Sequence, residues 1–280
     1  MATTVVNPFR LGEDDVYRAL GAPGVKRVLA EGDSWMSIFL PDEGNLLNHI
    51  RTGQDCVILD LSYPGDALAE MASGEQFELF KSLTGDPLHG YPFDLILLFG
   101  GGNDIIGHGL ERFLVQQPQA PEDFKRCLDE TKVKAVLSGI EADFEKFIAG
   151  LDAGALNPDT PILTCTYDYI TPRDAGASLL GVTLKGPWIY PVMRSKGVHD
   201  PNLQKAITDH LLERYRQRLA GLAKRHEGRF FVVDTLGTLE PATPDDGESS
   251  DWADEIHPTA DGWRKLARKL EPEIDRILAS

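Results

Sequence analysis

Five near-continuous apolar runs of strand length recur along the chain: Val25–Ala30, Cys56–Leu61, Phe93–Phe99, Pro161–Thr166 and Arg229–Val233. None alternates apolar with polar residues, so each predicts a strand covered on both faces, as in a parallel sheet between helices. The stretches between them carry the 3.6-residue helical period. Val136, Ile140, Phe144, Phe147, Ile148 and Leu151 form one apolar stripe, and Leu203, Ile207, Leu211, Tyr215, Leu219 and Leu222 a second. A third stripe, Trp263, Leu266, Leu270, Ile274 and Ile277, closes the chain, with Pro258 suited to its first turn. Alternating strands and helices give an α/β fold, and right-handed crossovers in one sheet give a single domain, residues 1–280, of flavodoxin-like strand order. Ligands of such sheets bind at the carboxyl ends of the strands. Residues 167–201 follow neither period, are rich in Gly and Pro, and contain Trp188, Tyr190 and Met193. They are expected to form an irregular lid or substrate loop.

Composition narrows the function classes. The 280 residues are 42% hydrophobic, enough for a full α/β core. Against 28 Lys and Arg stand 44 Asp and Glu, a formal charge of −16 that repels phosphate backbones and argues against nucleic-acid partners. No run of about 18 apolar residues predicts a membrane span. The three cysteines, at 56, 127 and 165, are odd in number and widely spaced, so they are expected to be core thiols of a reducing compartment. The amino terminus has no basic segment followed by an apolar one, which gives the expectation of a cytoplasmic protein. Oligomeric state is left open.

The chemistry-bearing residues cluster at the predicted strand ends. Glu31-Gly32-Asp33-Ser34-Trp35 follows the first strand, Ser62-Tyr63-Pro64-Gly65-Asp66 the second, and Gly100-Gly101-Gly102-Asn103-Asp104 the third; Asp254-Glu255-Ile256-His257-Pro258 precedes the last helix. A Ser, a Gly, an Asn and an Asp/His pair supply every part needed for acyl transfer through a serine nucleophile. Asp254, three residues before His257, can hold Nδ1–H and leave Nε2 as the general base toward Ser34. Asn103 offers a side-chain N–H, and Gly65 and Ser34 backbone N–H groups, for an oxyanion hole. Each part also has an ordinary reading: Ser34 suits a helix N-cap, and Asp-x-x-His recurs by chance in acidic chains.

Other chemistries lack their patterns. The glycines at 100–102 suggest a phosphate cradle, but Ile105 stands where the dinucleotide fingerprint needs a glycine, and no Walker sequence occurs. There is no G-x-S-x-G around Ser34, no S-x-x-K, no H-E-x-x-H and no metal-spaced histidine cluster. No metal or cofactor is therefore expected, and Cys165 is expected to be a core thiol rather than a nucleophile.

Taken together, Gly32-Asp33-Ser34, Ser62-x-x-Gly65, Gly101-x-Asn103-Asp104 and Asp254-x-x-His257 resemble, in order, blocks of the SGNH hydrolases, the GDSL-type esterases and lipases. The resemblance implies a three-layer α/β/α fold with a five-stranded parallel sheet and a cofactor-free hydrolysis of esters, thioesters or acylated sugars. Ser34, His257 and Asp254 would be its triad and Ser34, Gly65 and Asn103 its oxyanion hole. Trp35 departs from the usual Leu, as in a GDSW-like subgroup, and places Trp35 beside the substrate groove. Trp188, Tyr190, Met193 and Arg194 are the further substrate-binding candidates, with Arg194, Lys185 and Lys196 able to meet an anionic group. The segment 240–256 holds seven carboxylates and no Lys or Arg. If it rims the pocket it raises the His257 pKa and favours neutral esters. The reading is a serine esterase for short-chain or small neutral carboxylic esters; a carbohydrate O-acetyl esterase is the alternative within the class, and a catalytically silent binding module the alternative outside it.

Overall fold

In the computed structural model of the chain, which describes residues 2–8, 13–38, 44–106, 109–117, 119, 121–179, 182–244 and 249–280, all five apolar runs become parallel strands. They are β2 (Lys26–Gly32), β3 (Cys56–Asp60), β4 (Leu95–Phe99), β5 (Ile162–Cys165) and β8 (Phe230–Val233). A sixth strand, β1 (Thr3–Val6), pairs parallel with β3, Thr3 opposite Cys56, and the sheet order is β1-β3-β2-β4-β5-β8. The expectation of five strands is corrected to six. In β1 only Val6 is buried, so this edge strand carries none of the continuous hydrophobicity that marks β3, β4 and β5, which are buried at every position. The five expected strands run in the order β3-β2-β4-β5-β8, the flavodoxin-like one.

Helices flank the sheet. Glu130–Asp152 packs against Gly74–Gly85 and Pro201–Arg225, and Ala260–Leu278 against the short turn Leu46–His49 and β8. Their buried stripes are those of the 3.6-residue period: Ile140, Phe144, Phe147, Ile148 and Leu151 in the first, Trp263, Leu266, Leu270, Ile274 and Ile277 in the last. Phe147 meets Phe77 and Phe80 edge-on at ring distances of 5.2 and 4.8 Å. Truncating so central a ring costs roughly 3–5 kcal/mol. Pro258 does not enter the last helix. Thr259 caps it, its Oγ1 accepting the Gly262 N–H at 3.2 Å.

The stretch expected to be irregular has regular structure. Ala177–Leu179 (β6) and Val182–Lys185 (β7) form an antiparallel pair, and Tyr190–Ser195 forms a short helix. Positions 180 and 181 of this segment lie outside the described residues. All three cysteines are buried and free, and burial pushes the Cys165 thiol up to about 12. Among the described residues, no helix is long and apolar enough to cross a membrane.

Candidate active site

The β2 strand delivers Asp33 and Ser34 to the carboxyl edge of the sheet. Asp33, not Ser34, is the cap of the helical turn Ser34–Ser37, its Oδ1 accepting the Trp35 N–H at 2.9 Å. Ser34 occupies the first helical position, where the helix supplies no acceptor for its N–H. Asp33 is fully buried and its Oδ2 accepts the Tyr167 hydroxyl at 2.6 Å; burial outweighs both hydrogen bonds and pushes its carboxyl up to about 6. Tyr167 is the one described non-glycine residue with positive φ, 59°. Its ring meets Trp35 edge-on at 5.0 Å and lies against Gly102, where a Cβ would come within 2.9 Å of it. A strained residue packed into a site is the pattern expected where geometry is fixed for function.

Ser34, His257 and Asp254 form a continuous hydrogen-bonded chain. Ser34 Oγ stands 2.9 Å from His257 Nε2, and His257 Nδ1 stands 2.8 Å from Asp254 Oδ2 and 3.0 Å from Oδ1. Nδ1 faces only carboxylate oxygens, so it carries the proton and Nε2 is left to accept from the serine hydroxyl. Asp254 Oδ1 also accepts the Ile256 and His257 N–H groups at 2.9 and 2.8 Å, which closes the four-residue turn around the carboxylate. All three side chains are buried, Ser34 being 7% exposed.

Asn103 lines the same cleft as Ser34, and its amide reaches the carbonyl of Asp66, the residue after Gly65. Gly65 has φ +95°, a conformation that favours glycine, and its N–H has no hydrogen-bond partner among the described residues. Asn103 Nδ2 donates one hydrogen to Asp66 O at 2.9 Å, which fixes the amide and leaves its second hydrogen unspent. On the Gly65 side, a Cβ at Gly65 would stand 3.7 Å from Lys185 Nζ. Ser34, Asn103, Ile106, Ile170, Leu212 and Ile256 are among the residues lining a narrow cleft of about 40 Å³.

Glu255, between the acid and the histidine, was legible only as one carboxylate of an acidic stretch. It is buried and accepts four backbone N–H groups, those of Trp188, Ile189, Tyr190 and Arg173, at 2.5 to 3.2 Å. Burial still pushes its carboxyl up to about 7. The buried Arg173 guanidinium donates to the carbonyls of Trp252 and Asp254 at 3.2 and 2.9 Å. Glu255 and Arg173 thus tie the 167–201 segment to the loop that carries Asp254 and His257. The sequence signal that could have found Glu255 is its place between two residues of the site, in a turn too tight for every side chain to reach solvent.

The remaining candidates separate. Trp35 lines the cleft but is a buried packing residue, edge-on to Trp263 at 5.3 Å and donating Nε1–H to Ile256 O at 3.1 Å. Trp188 stands edge-on to His257 at 5.2 Å. Met193 is fully buried in the core, so its assignment to a substrate pocket is corrected; in the short helix Tyr190–Ser195 it faces inward while its neighbours do not. Arg194 lies over the Tyr190 ring at 5.3 Å, and Lys196 stands 3.9 Å from Glu111. Of the seven carboxylates in 240–256, Asp251 pairs with Lys265 at 2.6 Å and Glu255 is spent on backbone, so among the described residues only Asp254 touches His257. Positions 245, 246 and 248 lie outside the described residues. The argument for neutral esters from an acidic rim therefore has no support in the placed side chains.

The GDSL-like lipase/acylhydrolase family model matches residues 44–265, a span that takes in Gly65, Asn103, Asp254 and His257 and begins after Ser34. No curated protein sequence matches the chain. Among solved structures, an extracellular lipase from Streptomyces rimosus superposes with a TM-score of 0.54 at 13% identity, covering 89% of this chain and 99% of that one. A lipase from a goat rumen metagenome gives 0.52 at 13%, covering 89% and 97%, and an aryl esterase from M. smegmatis 0.51 at 14%, covering 90% and 100%. At these identities the likeness is one of fold.

Proposed function

The chain belongs to the GDSL-like lipase/acylhydrolase family, and on that premise we propose that it is a serine esterase hydrolysing short-chain carboxylic esters through an acyl-enzyme on Ser34. The observation that carries the reading is the buried Ser34–His257–Asp254 chain, with links of 2.9 and 2.8 Å, at the carboxyl edge of the sheet. In the proposed reaction His257 Nε2 takes the Ser34 proton as Oγ attacks the ester carbonyl, and Asp254 holds the imidazolium that forms. The oxyanion is met by the N–H groups of Ser34 and Gly65 and by the unspent hydrogen of Asn103 Nδ2. His257 then returns the proton to the departing alcohol oxygen, and water, deprotonated by the same nitrogen, releases the acid.

The cleft supports a short acyl group. Its 40 Å³ holds about three water-sized groups, taking roughly 10–15 Å³ for each. An acetyl or propionyl chain fits that space. Hydrolysis of 4-nitrophenyl acetate, butyrate and octanoate tests both points. Turnover is expected to fall with chain length and to vanish in Ser34→Ala; full activity in Ser34→Ala would sink the assignment. A folded wild-type protein whose Ser34 never reacts with a fluorophosphonate would indicate a binding module instead.

A further inference from the structure

A cation beside the Gly65 loop has a position that the acyl-transfer chemistry does not use. Lys185, the last residue of β7, is exposed, and its Nζ lies 3.7 Å from where a Cβ of Gly65 would stand. No ion-pair partner for it exists among the described residues. The nearby carboxylates of the Gly65 loop are turned to other donors: Asp66 Oδ2 accepts from Gln76 Nε2 at 3.0 Å, Asp60 Oδ1 from the Ser62 hydroxyl at 2.6 Å, and Glu70 Oε2 from the Ala67 N–H at 2.9 Å. The chain just beyond Lys185 is anchored, because Glu255 accepts the N–H groups of Trp188 and Ile189. Lys185 therefore stands beside Gly65 on a braced segment, with no ion-pair partner among the described residues.

The two ends of an ester can be assigned to sides. The acyl cleft is lined by Asn103, Ile106, Ile170, Leu212 and Ile256, with neither Gly65 nor Lys185 in its wall and no basic residue. The alcohol oxygen must face His257 to receive its proton, and Trp188, three residues after Lys185, packs on that imidazole. The segment that carries Lys185 thus borders the imidazole that returns the proton to the alcohol.

We propose that Lys185 selects esters whose alcohol portion bears an anionic oxygen group, a carboxylate or a phosphate monoester, which its ammonium meets beside Gly65. The inference rests on the esterase reading above. The test compares 3-acetoxybenzoate with its neutral methyl ester, in the wild type, Lys185→Gln and Lys185→Arg, at low and high salt. The wild type is expected to favour the anionic ester, in kcat/KM corrected for the uncatalysed rates, by about fivefold, the scale of one solvent-exposed ion pair. Lys185→Gln should remove that preference, Lys185→Arg should keep it, and high salt should shrink it. A preference that Lys185→Gln leaves intact, or an equal fall on both esters, overturns this inference while leaving the esterase reading standing. Absence of turnover on both esters in the wild type overturns the esterase reading and this inference with it.

Discussion

Glu31 gives the sharpest stability prediction. It ends the apolar run of β2 with a fully buried carboxyl group, Oε1 accepting the Gly32 N–H at 3.1 Å and Gln76 Nε2 at 2.9 Å, while Oε2 has no partner among the described residues. Burial is the main reason its carboxyl is pushed up to about 8, with Asp66 and Asp60 adding to the rise. In the unfolded chain the same group releases its proton near 4.5. Between those values the folded state binds the extra proton, so unfolding releases one and rising pH favours unfolding. The stability tied to Glu31 is complete below about 4.5 and declines until about 8. At pH 7 the loss is on the order of 3 kcal/mol, from roughly 1.4 kcal/mol per pH unit. Glu31→Gln keeps the Oε1 acceptor and puts an amide N–H where the protonated acid has its O–H. Urea unfolding midpoints of both proteins at pH 5, 7 and 8.5 measure the effect. Asp33 and Glu255, also raised, are common to both proteins, so the difference isolates Glu31. The variant is expected to match the wild type near pH 5 and exceed it by a few kcal/mol at pH 8.5; parallel curves across that range would refute a buried proton on Glu31.

Three further outcomes follow from the site. Asn103→Ala removes a proposed oxyanion donor and should cost roughly 3 kcal/mol of transition-state stabilisation, about a hundredfold in kcat on 4-nitrophenyl acetate with little change in KM. Tyr167→Phe leaves Asp33 Oδ2 without its 2.6 Å donor and should cost roughly 1–3 kcal/mol of stability at pH 8. That cost should shrink at pH 5, below the value of about 6 at which Asp33 takes up a proton; calorimetry at the two pH values checks the sign. Glu255→Ala strands four backbone N–H groups and should lower stability by roughly 2–4 kcal/mol, and it should also lower kcat through the Trp188–His257 contact. Wild-type kcat in this variant, measured where it remains folded, would show that the segment does not position the imidazole.

What the sequence made legible tracks how directly each element depends on local pattern. The four inner strands and three long helices declare themselves because burial on both faces, or on one stripe, leaves a continuous or periodic apolar signature; β8, the other edge, is fully buried only at Phe230 but still carries the apolar run Phe230–Val233. β1 is hidden because an edge strand of four residues, with Thr3 and Val5 only partly buried and Thr4 exposed, looks like any half-polar terminus. The β6–β7 hairpin is hidden because three- and four-residue strands are too short to establish a period. The same division holds in the site. Ser34, Gly65, Asn103, Asp254 and His257 each sit in a short motif at a strand or helix end, and the topology brings Ser34, Asp254 and His257 into one hydrogen-bonded chain with Asn103 on the same cleft. Asp33, Tyr167, Arg173 and Glu255 act through partners 82 to 134 residues away in sequence, Asp33 with Tyr167 and Arg173 with Glu255, and nothing in their own neighbourhoods announces the pairing.

The excess of negative charge takes on a different meaning once side chains are placed. Read along the chain, the carboxylates near His257 form a repulsive rim that selects neutral substrates. In space, Asp254 is spent on the imidazole and two N–H groups, Glu255 on four N–H groups, and Asp251 on Lys265. Glu31, Asp33 and Glu255 are buried deeply enough to hold protons well above the ordinary carboxylate range, which removes part of their charge at moderate pH. A formal count of −16 therefore counts as fully charged three carboxyls that burial pushes toward the protonated form. Among the described residues, the charge placed beside Gly65 is positive, the ammonium of Lys185, whose Nζ lies 3.7 Å from where a Cβ of Gly65 would stand.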